Sequence, residues 1–338
     1  MEAVKRVNYF TSFMKRDLIH LNLQLLYNCN FKCVICDFWK PEYNDAPRLS
    51  VEQIRIINDK ISQIGPMVIS LGGGEPLIHK DILEIIRIFA KKHFPVMICN
   101  GWFITKEKAR AMWEAGIYEV SISVDYADAA MHDKQRGKES AYERALQALK
   151  ILNETRVHAH QRVHMITVVM DDNLSHIEPL IKIAKSLGVT YLVTFYSSGR
   201  GKKDVRTENT DVSEHLLELR NKYPTFVALP GYIGKFSQAI ENHGILPCYA
   251  GKNLFNIDSQ GDVSLCIDKL DDKVGNIITD DMQFLKSELL IRHQNNDCGG
   301  CWTSCRGSIE TMMYGRERWY NLYKTYKITK KMPLVKAV

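Results

Sequence analysis

Short apolar runs alternate with amphipathic stretches from residue 20 to about residue 196 of this chain. The apolar runs predict six strands, at 21–26, 67–71, 96–99, 120–124, 163–169 and 191–196. Between them, apolar residues at helical spacing predict helices near 50–63, 82–89, 105–115, 139–153 and 174–187. Ser50 and Gln53 have the spacing of a capping box, which would start the first of these helices. This order predicts repeated βα units around a parallel sheet, that is, an α/β fold.

The number of repeats limits the architecture. Six βα units form a partial (β/α)6 barrel, TIM-like but incomplete, which is open enough to admit a large substrate. A doubly wound sheet has the same periodicity, so the pattern alone leaves it as an alternative.

The character of the sequence changes after residue 196. Residues 197–203, Ser-Ser-Gly-Arg-Gly-Lys-Lys, are typical of a linker between domains. A helix is predicted near 211–222, and the segments 253–257 and 262–266 predict a β-hairpin. We therefore divide the chain into four parts: a basic amphipathic segment at 1–19, a barrel at 20–200, a small C-terminal α+β domain at 201–325 and a basic tail at 326–338.

The composition is that of a folded globular protein. Of 338 residues, 45% are hydrophobic and 25% are charged, which is enough for a sizeable core. No apolar run reaches the roughly 18 residues that a membrane span needs, and the first residues do not resemble a signal peptide. Nine cysteines in a chain without an export signal favour reduced thiols and metal binding over disulfides. The sequence therefore predicts a cytoplasmic protein.

The net charge of +6 is modest, and basic residues gather towards both ends of the chain. They include Lys5, Arg6, Lys15 and Arg16 near the start and Lys324, Lys327, Lys330, Lys331 and Lys336 near the end. Solvated termini are one explanation. Peripheral contact with a membrane, or an anionic substrate, is the other, because apolar residues have helical spacing opposite the first charges: Val4, Val7, Phe10, Met14 and Leu18. We expect no nucleic-acid partner, since no basic element is interleaved with aromatic residues.

Three cysteines, Cys29, Cys33 and Cys36, follow the first predicted strand. Their C-x3-C-x2-C spacing lets three thiolates hold three irons of a 4Fe–4S cluster and leaves the fourth iron open to a ligand. Zinc is the alternative, but it would want a fourth protein ligand, and no nearby His or Cys offers one. The spacing therefore favours an iron–sulfur cluster.

This cysteine motif resembles that of the radical SAM superfamily. The resemblance implies a cluster whose fourth iron is chelated by the amino and carboxylate groups of S-adenosylmethionine. It also implies an enzyme that receives electrons from a donor such as flavodoxin or ferredoxin and splits S-adenosylmethionine into methionine and a 5′-deoxyadenosyl radical. That radical would abstract a hydrogen atom from the substrate.

Glycines after the second strand support the same resemblance. Gly72-Gly73-Gly74-Glu75-Pro76 resembles the superfamily motif whose backbone and glutamate bind the methionine amino group. At Gly73 and Gly74, a side chain would obstruct the approach of a ligand amine to main-chain carbonyls. Ile35 stands where the superfamily commonly has an aromatic residue, and it would pack on adenine.

Polar residues at later strand ends resemble further contacts to S-adenosylmethionine. Asn100, Ser121, Ser123 and Asp125 resemble contacts to its ribose and carboxylate, and alternation places the last three on one face of a strand. Arg136 resembles the arginine that pairs with the carboxylate, because a guanidinium offers two parallel donors. Taken singly, each residue also fits ordinary strand-end polarity or a surface salt bridge. No catalytic acid or base is predicted.

A second group of cysteines lies in the C-terminal part. Cys248, Cys266 and the C-x2-C pair Cys298 and Cys301 resemble the auxiliary-cluster domain of the SPASM/twitch group, in its shorter twitch form. The resemblance assigns these four to one auxiliary 4Fe–4S cluster and leaves Cys305 as an alternative ligand or a nearby free thiol. A structural zinc held by four of the five is the other explanation.

The remaining cysteine and three clustered histidines have ordinary explanations. Cys99 is interpreted as a small core residue, with a thiol near the radical as a minor alternative because Asn100 is its neighbour. His158, His160 and His164 are interpreted as scattered histidines of a helix-to-strand connection rather than as metal ligands.

The resemblance implies an oxidative reaction, either a dehydrogenation or the formation of a carbon–heteroatom or carbon–carbon bond. The auxiliary cluster would accept an electron from the substrate radical or bind the substrate. We expect a small-molecule substrate, since only about 20 residues precede the first strand and no separate peptide-recognition domain is evident. A ribosomally made peptide is the alternative. From another class, a non-enzymatic iron–sulfur or zinc sensor or scaffold would use the cysteines only structurally.

Overall fold

The computed structural model of the chain describes residues 2–197, 211–315, 318–320 and 322–323. The predicted linker from residue 198 onward, the domain boundary at 200/201 and the basic tail at 326–338 lie outside the described residues. None of the described helices is both long enough and apolar enough to cross a bilayer. The division into domains and the cytoplasmic location stay predictions.

One nine-stranded sheet organises the fold. Its strands are β1 His20–Leu26, β2 Val68–Gly73, β3 Phe94–Cys99, β4 Glu119–Ser123, β5 Arg162–Val169, β6 Thr190–Phe195, β7 Leu254–Ile257, β8 Asp262–Ser264 and β9 Lys273–Asn276. Strands β1 to β6 pair in parallel and in chain order, so the six predicted strands are confirmed. A doubly wound sheet would reverse its strand order within the βα repeats, and strands β1 to β6 do not. The fold is therefore an unclosed, partial barrel.

Helices follow the strands as βα units require. They are α1 Glu2–Met14, α2 Pro41–Asn44, α3 Val51–Ile61, α4 Ile82–Ala90, α5 Lys106–Ala115, α6 Ala129–Arg136, α7 Ala141–Thr155, α8 Leu174–Ser186, α9 Val212–Lys222, α10 Pro230–Ile233, α11 Phe236–Glu241, α12 Met282–Gln294 and α13 Ser304–Tyr314. Short 3₁₀ turns at Pro76–Ile78 and Asp171–Asn173 follow β2 and β5. The predicted helices are confirmed as α3, α4, α5, α7, α8 and α9.

The capping box at the start of α3 is present as predicted. The Gln53 amide donates to Ser50 Oγ at 3.2 Å, and the Ser50 amide donates to Gln53 Oε1 at 2.9 Å. These two bonds satisfy amides that a helix start leaves without partners, so the helix begins at Val51. Its apolar face then buries Ile54, Ile57 and Ile61.

Helix α6 has no counterpart among the predicted helices. Its only large apolar side chain, Met131, is 40% exposed, so no apolar periodicity marks it. Its ends do carry signals: the Asp128 side chain accepts from the Met131 amide, and Gly137 ends the helix at φ +60°.

The C-terminal hairpin is confirmed as β7 and β8, and it joins the barrel sheet. Strand β7 pairs in parallel with β1, from His20 beside Leu254 to Leu23 beside Ile257. Strands β8 and β9 continue the sheet in antiparallel pairing. The C-terminal part thus extends the edge of the barrel at β1, the strand that leads into the first three cysteines.

Candidate active site

A cavity of about 810 Å³ lies against the inner face of the six parallel strands. The three cysteines of the first motif line it together with eight of the nine residues predicted to contact S-adenosylmethionine: Ile35, Gly73, Gly74, Glu75, Asn100, Ser121, Ser123 and Arg136. Of the nine, only Asp125 does not line it. The structure therefore brings residues from four strand ends and one helix to one space, and their binding roles stay predictions.

The cysteine loop is held by its neighbours. Cys29 Sγ accepts a hydrogen bond from the Phe31 amide at 3.4 Å, and the Trp39 indole donates to the Cys33 carbonyl at 3.1 Å. Burial raises the pKa of the Cys29 thiol to about 12, and the Glu75 carboxylate and the other thiols of the motif add to this. Holding these sulfurs as thiolates requires a bound positive charge, which iron provides. The donor set therefore fits the iron–sulfur cluster.

Two glycines bring β2 against the loop that precedes Cys29. Gly73 has φ +114°, and a Cβ on it would lie 2.0 Å from the Leu26 carbonyl oxygen. A Cβ on Gly74 would lie 2.2 Å from the Asn28 carbonyl oxygen, where even 3.0 Å is too close. The approach of a ligand to these glycines stays a prediction, and the structure adds a second reason for them: backbone occupies the space that a Cβ would take. They are needed because the loop itself packs there.

The Glu75 carboxylate joins two strand ends. One oxygen accepts from the Leu77 amide at 3.1 Å and the other from the Asn100 amide at 2.8 Å. The side chain is almost completely buried, and burial raises its pKa to about 7, although both hydrogen bonds oppose the shift. Glu75 thus fixes the end of β3 relative to β2 on the wall of the cavity.

Asn100 in turn contacts the cysteine loop. Its side-chain amide donates to Asn30 Oδ1 at 2.9 Å, and its Oδ1 accepts from the Trp102 amide at 2.9 Å. Asn30 lies between the first two cysteines of the motif. Asn100 therefore positions the cluster loop as well as lining the cavity.

The Arg136 guanidinium contacts two other side chains of the protein. Its Nη2 lies 2.7 Å from Asp125 Oδ2, and its guanidinium also contacts the Cys33 thiol. Burial alone would lower the pKa of Arg136, but the Asp125 carboxylate and the Cys33 thiol raise it above the ordinary value. Asp125 is fully buried and also accepts from the Val168 amide at 3.0 Å. Asp125 thus lies behind Arg136 and orients it, rather than facing the cavity.

Ile35 packs in a small apolar cluster at the same wall. The cluster contains the buried side chains of Tyr126 and Met170, with Val168 and Tyr196 packed against it. This is a surface on which a planar ring could rest, as predicted for adenine.

The five C-terminal cysteines are placed unequally. Burial raises the pKa of Cys248 to about 11, and it also raises the pKa of Cys266 and of Cys301. Cys301 adds to the shift at Cys248 and Cys266, and Cys305 adds to the shift at Cys301. Cys305 lines the main cavity, whereas the other four do not. Within the described part of the chain, no three His, Cys, Asp or Glu side chains lie close enough together to hold a single metal ion.

Arg306 is a residue that the sequence argument missed. It is 2% exposed, and its Nη1 donates to the Cys301 carbonyl at 2.6 Å while its Nη2 donates to the Pro247 carbonyl at 2.9 Å. It also lies 4.0 Å from Cys301 Sγ. Arg306 therefore ties the segment that carries Cys248 to the segment that carries Cys301.

Cys99 is a core residue, as predicted, and the interpretation of the three histidines stays a prediction. Cys99 is 4% exposed and belongs to the main apolar core, although it also touches the cavity. His164 is buried in β5, 3.2 Å from a Glu119 oxygen, and the rings of His158 and His160 stack on each other.

Known proteins resemble this chain in sequence. The sequence profile of the Radical SAM superfamily matches residues 23–184. The AdoMet-dependent heme synthase of Methanosarcina barkeri is 30% identical over 186 residues, which are 55% of this chain and 52% of that protein. The mycofactocin maturase MftC of Mycolicibacterium smegmatis is 29% identical over 324 residues, 90% of this chain and 80% of that protein. The chain thus spans about half of the heme synthase but most of the maturase.

Solved structures share the fold. Streptococcus suis SuiB bound to precursor peptide SuiA superposes with a TM-score of 0.66 at 15% identity, over 82% of this chain and 67% of that one. The likeness extends past the matched profile into the part of the chain that holds the C-terminal cysteines.

Proposed function

The chain is a radical SAM enzyme with its radical SAM domain at residues 23–184, and we propose that it is a maturase that oxidatively modifies a ribosomally made peptide. This differs from the small-molecule substrate expected from the sequence. The observation that carries the proposal is the extent of the match to the mycofactocin maturase, which covers 90% of this chain and so includes most of its C-terminal part. As an enzyme, the chain is not the non-enzymatic sensor or scaffold considered above.

The residues around the cavity have distinct tasks in this proposal. The cluster held by Cys29, Cys33 and Cys36, with S-adenosylmethionine, supplies one-electron reduction and a radical that abstracts hydrogen. Glu75 and Asn100 hold the cluster loop against the strand ends through the hydrogen bonds described above. Arg136, oriented by Asp125, presents a guanidinium to a carboxylate in the cavity. A flavodoxin or ferredoxin would serve as electron donor.

The C-terminal cysteines would hold one auxiliary 4Fe–4S cluster. The effect of Cys301 on the pKa of Cys248 and of Cys266 supports these three as ligands, and the sequence motif adds Cys298. Cys305 raises the pKa of Cys301 and stays the alternative ligand. A structural zinc is the alternative, and metal analysis distinguishes the two.

A small-molecule substrate is the second candidate, favoured by the match to the heme synthase. That match covers 55% of this chain, against 90% for the maturase. It therefore supports a shared function over a smaller part of this chain than the match to the maturase does.

The test first asks whether the protein cleaves S-adenosylmethionine and then distinguishes a peptide substrate from a small molecule. The clusters are reconstituted without oxygen, a strong reductant and S-adenosylmethionine are added, and 5′-deoxyadenosine is measured in the wild type and in Cys29→Ala. We expect it in the wild type alone. Candidate peptides encoded beside the gene are then added, and mass spectrometry is used to look for the loss of hydrogen atoms. The peptide proposal would be overturned if 5′-deoxyadenosine formed, no peptide were modified and a small metabolite from a cell extract were turned over. The radical chemistry would still stand.

A further inference from the structure

Helix α1 is fastened to the barrel by one face. Phe13 is 7% exposed, and the Tyr9 ring packs edge-on against Phe94 at 5.4 Å. Lys5 Nζ donates to the carbonyl oxygens of Ala90 at 3.1 Å and His93 at 3.2 Å, where α4 ends. The helix is therefore a fixed part of the fold with one defined outward face.

That outward face is apolar. Val4 is 62% exposed, Val7 63%, Phe10 54% and Met14 48%. At 3.6 residues per turn these four side chains form one stripe along the helix. A surface helix with a buried apolar face normally carries polar residues opposite, so this stripe requires an explanation.

Basic residues border the stripe. Arg6 and Lys15 lie about 90° to either side of its centre, and Arg16 follows; all three are exposed. The acidic residues nearby are engaged: Glu2 pairs with Lys5 at 2.8 Å and with Arg6 at 3.1 Å, and Asp17 pairs with Lys286 at 2.8 Å. Lys15 and Arg16 have no acidic partner among the described residues. The unpaired positive charge therefore lies at the C-terminal end of the helix. The stripe is thus apolar with positive edges.

We propose that α1 docks the enzyme on an anionic lipid bilayer, with the stripe in the interfacial region and the basic residues at the headgroups. Long basic side chains beside an apolar stripe can reach headgroups while their stems stay in apolar surroundings. At 1.5 Å per residue the helix is about 20 Å long and lies in the plane of the interface. Charge argues against a second copy as the occupant, because each chain has a net charge of +6. Pairing two stripes in parallel would also bring Lys15 and Arg16 of the two copies together.

Co-sedimentation of the reconstituted enzyme with phosphatidylglycerol vesicles tests this proposal. We expect the wild type to bind them at low salt, to bind severalfold less at high salt, and to bind phosphatidylcholine vesicles weakly. The double variant Val7→Ser with Phe10→Ser should lose at least tenfold in binding, since it removes apolar area without changing charge. Ile56→Ser is the matched control, because Ile56 is an exposed apolar residue on α3, at 37%.

Two further measurements separate the other outcomes. Hydrogen exchange of the 2–14 segment should slow when phosphatidylglycerol vesicles are present, and light scattering should show the same mass for the wild type and the double variant. Failure of the wild type to bind, or unchanged binding by the double variant, would overturn the proposal. A mass that falls in the variant would assign the stripe to self-association instead.

Discussion

Arg306 and Glu310 form a buried ion pair beside the C-terminal cysteines, with Nε of Arg306 2.9 Å from Oε1 of Glu310 and side chains only 3% and 6% exposed. Glu310 also accepts a hydrogen bond at 2.8 Å from the backbone amide of Tyr249, which is the residue after Cys248. Glu310 therefore neutralises the buried Arg306 guanidinium. The other nitrogens of that guanidinium donate to carbonyl oxygens of the chain around the cysteines.

Replacing Arg306 should damage both stability and metal binding. Arg306→Gln leaves Glu310 buried without its partner, and we expect the free energy of unfolding to fall by about 3–5 kcal/mol. Arg306→Lys keeps the charge but loses the forked donors, so it should recover only part of this loss. Chemical unfolding and iron content per chain measure the two effects.

Arg292→Gln is the control for this prediction. Arg292 pairs with Asp272 at 2.6 Å, but the two side chains are 48% and 32% exposed. Its loss should cost less than about 1 kcal/mol and leave iron content unchanged. Equal effects of the two substitutions would contradict the assignment of Arg306 as a residue that positions the cysteines.

Adding one methyl group at Gly74 should disrupt the cluster loop. The new Cβ would meet the Asn28 carbonyl at 2.2 Å and the Tyr27 carbonyl at 2.4 Å, and backbone cannot move aside as a flexible side chain can. We expect Gly74→Ala to lower the free energy of unfolding by about 3 kcal/mol and to reduce iron at the first site. Gly72→Ala is the matched control, since its Cβ would meet only Gln24 Oε1 at 3.8 Å. Full iron content in Gly74→Ala would show that the loop can shift.

Features that depend on neighbouring residues in the sequence could be predicted. The six strands were found because each is a short apolar run, and the residues of the first cysteine motif because a single loop carries them. The pairing of β7 with β1 was not predictable. His20 and Leu254 are far apart in sequence, and the residue pattern of a strand does not indicate which strand it pairs with.

The structural roles of Arg306, Glu310 and Gly74 were missed for one reason. In sequence, Arg306 and Glu310 look like an ordinary surface pair one helical turn apart, and only their burial makes them important. Gly74 was singled out as a ligand contact, which stays a prediction, but its close packing against carbonyls of the preceding loop, more than forty residues earlier, was missed. Contacts between distant segments decide such roles, and periodicity does not reveal them.

Cys305 should prove dispensable for the auxiliary cluster. It lines the main cavity, whereas Cys301 does not, although Cys305 is near enough to raise the pKa of Cys301. Cys301 in turn raises the pKa of Cys248 and of Cys266. We expect Cys305→Ala to keep its iron and Cys301→Ala to lose about half of it, as for one of two 4Fe–4S clusters. Iron analysis and electron paramagnetic resonance of the reduced proteins measure this. Loss of iron from Cys305→Ala would make Cys305 a ligand in place of another cysteine.

The buried His93 should make the fold sensitive to acid. Its Nδ1 accepts from the Met67 amide at 3.3 Å, and its Nε2 lies 3.0 Å from Ser62 Oγ, so a second ring proton would face an N–H donor. Burial lowers the pKa of His93 from 6.5 to about 4, and nearby Lys92 and Lys5 add to this. Between these two pH values the unfolded chain binds a proton that the folded chain cannot. Stability from this group is therefore complete above pH 6.5 and declines by up to about 3 kcal/mol as the pH falls to 4.

Replacing His93 by Gln should make this decline shallower, even if the variant is less stable at neutral pH. The measurement is the free energy of unfolding at several pH values between 6.5 and 4.5. Some slope will remain, because burial also lowers the pKa of His20 to about 4 and that of His132 to about 3. His215→Gln, at an exposed position on α9, should keep the wild-type slope. A His93→Gln slope equal to that of the wild type would mean that His93 takes up its proton in the folded chain, and the two hydrogen bonds that we assign to its neutral ring would then be wrong.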